Sequence, residues 1–171
     1  YLASLPALNR NENFVDNGVN PPNGKVSKTV YKGLEDKATV QLFLHGDYVY
    51  NAENNVQLDA LKAALEIKIL ERLREKESGV YTPNVSLDVQ KYPKAHYYFT
   101  ISFNCSKANV EKLINAAMEE VNLFKQNGAT EIDLKKFKSE KLRQEELSLR
   151  ENSFWLGYLT NRLKYGDDVN Q

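Results

Sequence analysis

"LKAALEIKILERLREKESGVYTPNVSLDVQ", residues 61–90, passes from one periodicity to another. Up to Glu77 its apolar residues recur every three or four positions, as on a helix. From Asn84 onward Val85, Leu87 and Val89 alternate with polar residues, as on a half-buried strand. The change falls at Ser78-Gly79, a pair suited to a turn. The helical pattern begins near Asn54 and shows two apolar faces at about 100° per residue. Leu58, Leu61, Leu65, Ile69 and Leu73 share one side, and Val56, Ala60, Ala63, Ile67 and Leu70 the other. Asp59, Lys62, Glu66, Lys68 and Glu71 fill the flanks. A helix of that kind is expected to be packed between layers, one face on a sheet and the other on more helices or a partner domain.

Outward from this stretch the sequence adds strands on both sides. "KVSKTVYKG" (25–33) and "ATVQLFLHG" (38–46) predict a hairpin around a Gly33–Lys37 turn, with Val40, Leu42 and Leu44 facing inward. "HYYFTISFNC" (96–105) groups Tyr97, Phe99, Ile101, Phe103 and Cys105 on one face, and Lys91–Lys94 with Pro93 supplies the preceding turn. Ser106 is placed to cap a helix whose stripe is Val110, Leu113, Ile114, Ala117, Val121 and Phe124, with Asn127-Gly128 as a left-handed stop. "TEID" (130–133) is a Thr-x-x-Asp capping box opening a charged helix that runs to Arg150, with a thin seam of Leu134, Phe137 and Leu142. A last helix, "ENSFWLGYLTNRL" (151–163), offers Phe154, Trp155, Leu159 and Leu163 as anchors. The expected order is β-β-α-β-β-α-α-α, an α+β two-layer sandwich with an antiparallel sheet covered by helices.

The chain has 171 residues, 42% of them hydrophobic and 27% charged, which fits one globular domain. Basic and acidic residues balance at 23 each, against a general nucleic-acid-binding surface. No apolar run reaches the ~18 residues of a membrane span. Residues 1–24, rich in Asn, Gly and Pro toward their end, read as a tail and linker from an upstream domain, with a single domain over 25–171. The ends read as those of a piece of a longer protein, so targeting signals and compartment are not legible.

Little in the sequence carries chemistry. His45 and His96 are the only histidines, and neither stands in a metal-binding pattern such as H-E-x-x-H or H-x-x-E-H. Both are expected to be structural or surface residues. Cys105, the single cysteine, is expected to be a buried strand residue. Nucleophile-elbow and phosphate-loop motifs are absent. Arg74 and Tyr81 stand apart, because Arg74 continues the Val56–Leu70 face at the helix end and Tyr81 follows one turn later. A guanidinium there must reach water, a carboxylate or a ligand. The plainer outcome is a helix-end ion pair and a half-exposed tyrosine. The other is a pair projecting into a cleft, where arginine and phenol hydrogen-bond a substrate carbonyl.

Several stretches in order resemble one family: "FVDNGVNPPNG" and "VYKG" (14–24 and 30–33), "ATVQLFLHGDYVYNAENN" (38–55), "LKAALEIKILERLREKESGVYTPNVS" (61–86), "YYFTISFNCSKANVEKLI" (97–114) and "RENSFWLGYL" (150–159). They are similar to the C-terminal half of insulinase/pitrilysin zinc metallopeptidases, especially the bacterial type. The resemblance implies homologous α+β domains around a proteolytic chamber, with an H-x-x-E-H zinc site in the N-terminal half. It implies zinc bound outside this chain, a peptide substrate, and the zinc-bearing half as partner. Arg74 and Tyr81 match the family's arginine and tyrosine that face the zinc site and bind the substrate backbone. The chain alone is then expected to be inactive and to bind neither nucleic acid nor membrane; a periplasmic or secreted bacterial setting fits the resemblance. Some family members have lost the metal site, which leaves a non-catalytic partner or scaffold domain as the alternative. Peptide binding by strand addition at a sheet edge is a further expectation.

Overall fold

The computed structural model describes residues 13 and 15–170. Two compact units divide the chain, Tyr1–Leu34 and Glu35–Gln171. Described residues of the first unit are irregular and held by short-range side-chain bonds: Asp16 accepts from the Gly18 amide at 2.8 Å, and Asn17 from that of Val19 at 3.2 Å. Most of the proposed upstream tail, residues 1–12 and 14, lies outside the described residues.

The second unit is α+β. Its elements are β1 (Ala38–Asp47), α1 (Ala52–Leu70), a π-helical turn (Glu71–Lys76), β2 (Asn84–Gln90), β3 (His96–Cys105), α2 (Val110–Asn127), α3 (Glu131–Ser148) and α4 (Asn152–Tyr165). The sheet order is β1-β3-β2, with β3 antiparallel to both neighbours. β1 meets β3 along its whole length, from Ala38 opposite Cys105 to Asp47 opposite His96.

The predicted hairpin over 25–46 does not form. Residues 25–33 hold no strand, and β1 pairs with β3 instead. The cause is legible in the residues: Lys28 interrupts the face that Val26 and Val30 would share, so no continuous apolar edge exists to bury. The described sheet therefore has three strands.

One face of the sheet meets the helices. Val40 of β1, Val85 of β2 and Phe99, Ile101, Phe103 and Cys105 of β3 pack with Leu58, Leu65 and Ile69 of α1 and Leu113, Ala117 and Val121 of α2. Ile69, Leu73 and Ile101 are fully buried, so the first face of the long helix is its core face, as the pattern predicts. The second face is half-buried, with Val56 exposed near its start. α3 reaches α1 through polar contacts, Lys141 to Asp59 at 2.8 Å and Lys68 to Asp133 at 3.8 Å.

Local stop and start signals hold in part. Asn51 caps α1, its side chain accepting from the Asn54 amide at 2.7 Å. The Thr130–Asp133 capping box is present in both directions, and Asp133 is buried. Ser106 does not cap with its hydroxyl; its carbonyl accepts from the Asn109 amide at 3.1 Å, closing a 3-10 turn before α2. Gly128 has the expected positive φ of 71°, but its ψ of −170° sends the chain out extended rather than left-handed. α4 is not anchored where its aromatic residues predict. Trp155, Leu159 and Leu163 are exposed, and the helix is tied at its far end instead. There Lys91 donates to the Tyr165 carbonyl at 2.7 Å and to Asp167 at 2.9 Å, with the Tyr50 and Tyr165 rings 5.5 Å apart.

Candidate functional site

The end of α1 departs from α-helical geometry at the point where Arg74 occurs. From Glu71 to Lys76 the turn is π-helical, and the Glu77 amide bonds to the Arg72 carbonyl, five residues back, at 3.1 Å. Ser78 then takes a left-handed φ of 51°, and the Gly79 amide reaches the Leu73 carbonyl at 3.4 Å. These bonds satisfy carbonyls that a helix end would leave open. Gly79 lies against α2: a Cβ there would meet Leu113 Cδ2 at 2.9 Å. Val80 enters the core beside it, and the next residue, Tyr81, points out with 91% of its surface exposed.

The π register also decides which arginine is paired internally. On an α-helix, side chains three and four apart are neighbours. The wider turn instead stacks residue i on i+5, and Arg72 meets Glu77 at 3.3 Å. Arg72 also bonds Glu119 of α2 at 2.9 Å, and Lys112 of α2 bonds Glu77 at 2.8 Å. The hydrogen bond from Lys112 holds the Glu77 carboxyl below the ordinary carboxylate range. Sequence reading missed this network, because a 3.6-residue period conceals an i,i+5 pair.

Arg74 takes no part in that network. Its side chain is 53% exposed and, among the described residues, pairs locally with its neighbour Glu75 at 3.2 Å. The helix-end ion pair of the plainer expectation is present at Arg74, with Glu75, while Tyr81 is more exposed than the half-exposed tyrosine expected. Arg74 and Tyr81 stand on the two sides of one pinned turn, and neither side chain is used by the core.

The histidines are engaged with each other. His45 Nδ1 lies 3.0 Å from His96 Nε2, and His96 Nδ1 lies 2.9 Å from Asp47 Oδ1, so one ring nitrogen donates and the other accepts across the pair. Lys94 also bonds Asp47, and the bonds from Lys94 and His96 hold that carboxyl low. Among the described residues no three His, Cys, Asp or Glu side chains gather as a metal's donor set. Cys105 is buried in the strand as expected, and burial pushes its thiol up.

Comparison with known proteins decides the family. The profile described as "Peptidase M16 inactive domain" matches residues 1–141. The chain belongs to that family. The insulinase/pitrilysin resemblance read from the sequence is thereby established. A curated relative, "Probable zinc protease PqqL" of Haemophilus influenzae, is 27% identical over 151 residues, which is 88% of this chain and 15% of that protein. The chain thus spans about one seventh of the relative it matches. Among solved structures, the periplasmic protease PqqL of Escherichia coli aligns with a TM-score of 0.69 at 23% identity, covering 75% of this chain and 14% of its own. A mutant of the ferredoxin protease FusC, in complex with Arabidopsis ferredoxin, aligns with a TM-score of 0.69 at 16% identity, covering 79% of this chain and 15% of its own. At those identities the two structures support the α+β fold. No helix among the described residues is long and apolar enough to cross a membrane.

Proposed function

We propose that this chain is the substrate-binding, non-zinc domain of a zinc-dependent metalloendopeptidase, working in a chamber formed with a zinc-bearing half of the same protein. The supporting observation is the exposure of Arg74 and Tyr81 on one pinned turn, while Arg72 two residues away is consumed by ion pairs. A guanidinium stays charged at any working pH and offers a planar fork of donors. A phenol adds one more donor. Together they suit a peptide carbonyl oxygen and the negative charge that grows on it as the amide is attacked. The Arg74–Glu75 pair is exposed and worth about 0–1 kcal/mol, so a substrate can displace it. Zinc held elsewhere in the parent enzyme would supply Lewis-acid polarisation and an activated water.

In the full-length protein Arg74→Ala and Tyr81→Phe should each lower kcat/KM by about 10²-fold, the range for a lost oxyanion donor. Turnover equal to wild type in both would remove the role. A second reading, a non-catalytic partner or scaffold domain, draws on the exposed apolar residues Trp155, Leu156, Leu159 and Leu163 of α4. An intact H-x-x-E-H in the upstream sequence of the parent gene would favour the peptidase, and its loss the scaffold.

A further inference from the structure

We propose that Glu77 is a positioning residue for the Arg74–Tyr81 pair, fixing the turn between them onto α2 through Lys112 and Arg72. This rests on the substrate-contact role of Arg74 and Tyr81. Its own support is the geometry beneath them. Glu77 is the residue at which the π-helical turn ends and the chain reverses through the left-handed Ser78. Its side chain is half-buried, and its carboxylate receives two cations from different elements, Arg72 at 3.3 Å and Lys112 at 2.8 Å.

Arg72 in turn holds Glu119 at 2.9 Å, so α2 grips the turn at two points nearly two helical turns apart. Between them Leu113 closes against Gly79 without room for a side chain. The turn carries Arg74 three residues before Glu77 and Tyr81 four residues after it. A carboxylate so placed sets the separation of the two donors without touching substrate. Donors that must meet one developing charge are sensitive to such placement, and a displacement of about 1 Å can cost up to 10²-fold in rate.

The role is tested in the full-length enzyme with Glu77→Gln, Lys112→Met, their double variant, and Glu77→Gln in an Arg74→Ala/Tyr81→Phe background. Glu77→Gln is expected to lower kcat/KM by about tenfold, carried by kcat because the contacts it serves tighten in the transition state. Lys112→Met should do the same, and the double variant should be no worse than the poorer single one, since both act through one clamp. In the background lacking both donors, Glu77→Gln should change nothing further. Hydrogen exchange at residues 78–82 should quicken in Glu77→Gln while the β3 amides hold.

Activity unchanged in Glu77→Gln and Lys112→Met, with Arg74→Ala and Tyr81→Phe still impaired, would overturn the positioning role and leave the substrate-contact role standing. A full additional loss in the donor-free background would also overturn it, by showing a general effect on folding. Lack of effect in Arg74→Ala and Tyr81→Phe would overturn both. Should Glu77→Gln fail to fold, Lys112→Met decides alone, its side chain being 61% exposed and dispensable to the core.

Discussion

Gly79→Ala probes the contact on which the site turn rests. The added Cβ would stand 2.9 Å from Leu113 Cδ2, 3.1 Å from Cδ1 and 3.4 Å from Cγ. Ordinary carbon–carbon contact is ~3.5–4.0 Å, so both methyls intrude by roughly half an ångström to an ångström. Leu113 cannot swing away freely, because it is 1% exposed and belongs to the core cluster with Val80, Leu73 and Ala117. Overpacking of this kind costs about 1–3 kcal/mol. Leu113→Ala alone should cost about 2–5 kcal/mol as a cavity. The double variant is the decisive one, since the new Cβ then enters the vacated space. Its cost should fall short of the sum of the singles by about 1 kcal/mol or more, within the range for contacting residues. Urea unfolding of the chain followed by circular dichroism measures all three. Additive costs, or a Gly79→Ala midpoint equal to wild type, would show that the turn does not rest on Leu113.

Thr130→Ala should destabilise the chain by about 1 kcal/mol through loss of the α3 cap. The Thr130 hydroxyl bond is the main cause holding the Asp133 carboxyl low, so Asp133 contributes stability above the unfolded carboxyl value and loses it as pH falls through the folded one. The variant should therefore show a shallower loss of stability below about pH 4, read from urea midpoints at neutral and acid pH. Asp167→Asn should quicken hydrogen exchange throughout α4 while β3 amides stay protected, because Lys91–Asp167 ties the far end of that helix to the sheet. Equal protection of α4 in the variant would place its docking elsewhere.

What the sequence disclosed follows from which periods are strong. β2, β3, α2 and the core face of α1 each bury one face, so their spacing is visible and the structure keeps it. The capping box at Thr130 is a local motif and survives for the same reason. Residues 25–33 looked like a strand because Val26, Val30 and Tyr31 favour strands, yet a strand needs a partner and a continuous face, and Lys28 breaks it. For α4, apolar residues indicated a helix correctly but not its attachment. The bond that ties it runs from Lys91 to a backbone carbonyl and an aspartate beyond the helix, more than seventy residues along the chain. Contacts between side chains so distant leave no periodic trace.

The two arginines of the opening stretch show how one inserted register changes which partners a side chain meets. In α-helical projection Arg74 prolongs an apolar face and Arg72 lies nearly opposite, so either could have served as the internal tie. The π-helical turn brings Glu77 over Arg72 and commits that arginine to α2. Arg74 is left with an adjacent carboxylate and open solvent. An arginine tied into the fold is therefore two residues from one that pairs with its chain neighbour, and the difference follows the five-residue hydrogen bond from Glu77 to Arg72. Had the helix stayed regular, its amide would have bonded four residues back, to Leu73, and the ion pair beneath the turn would have opened.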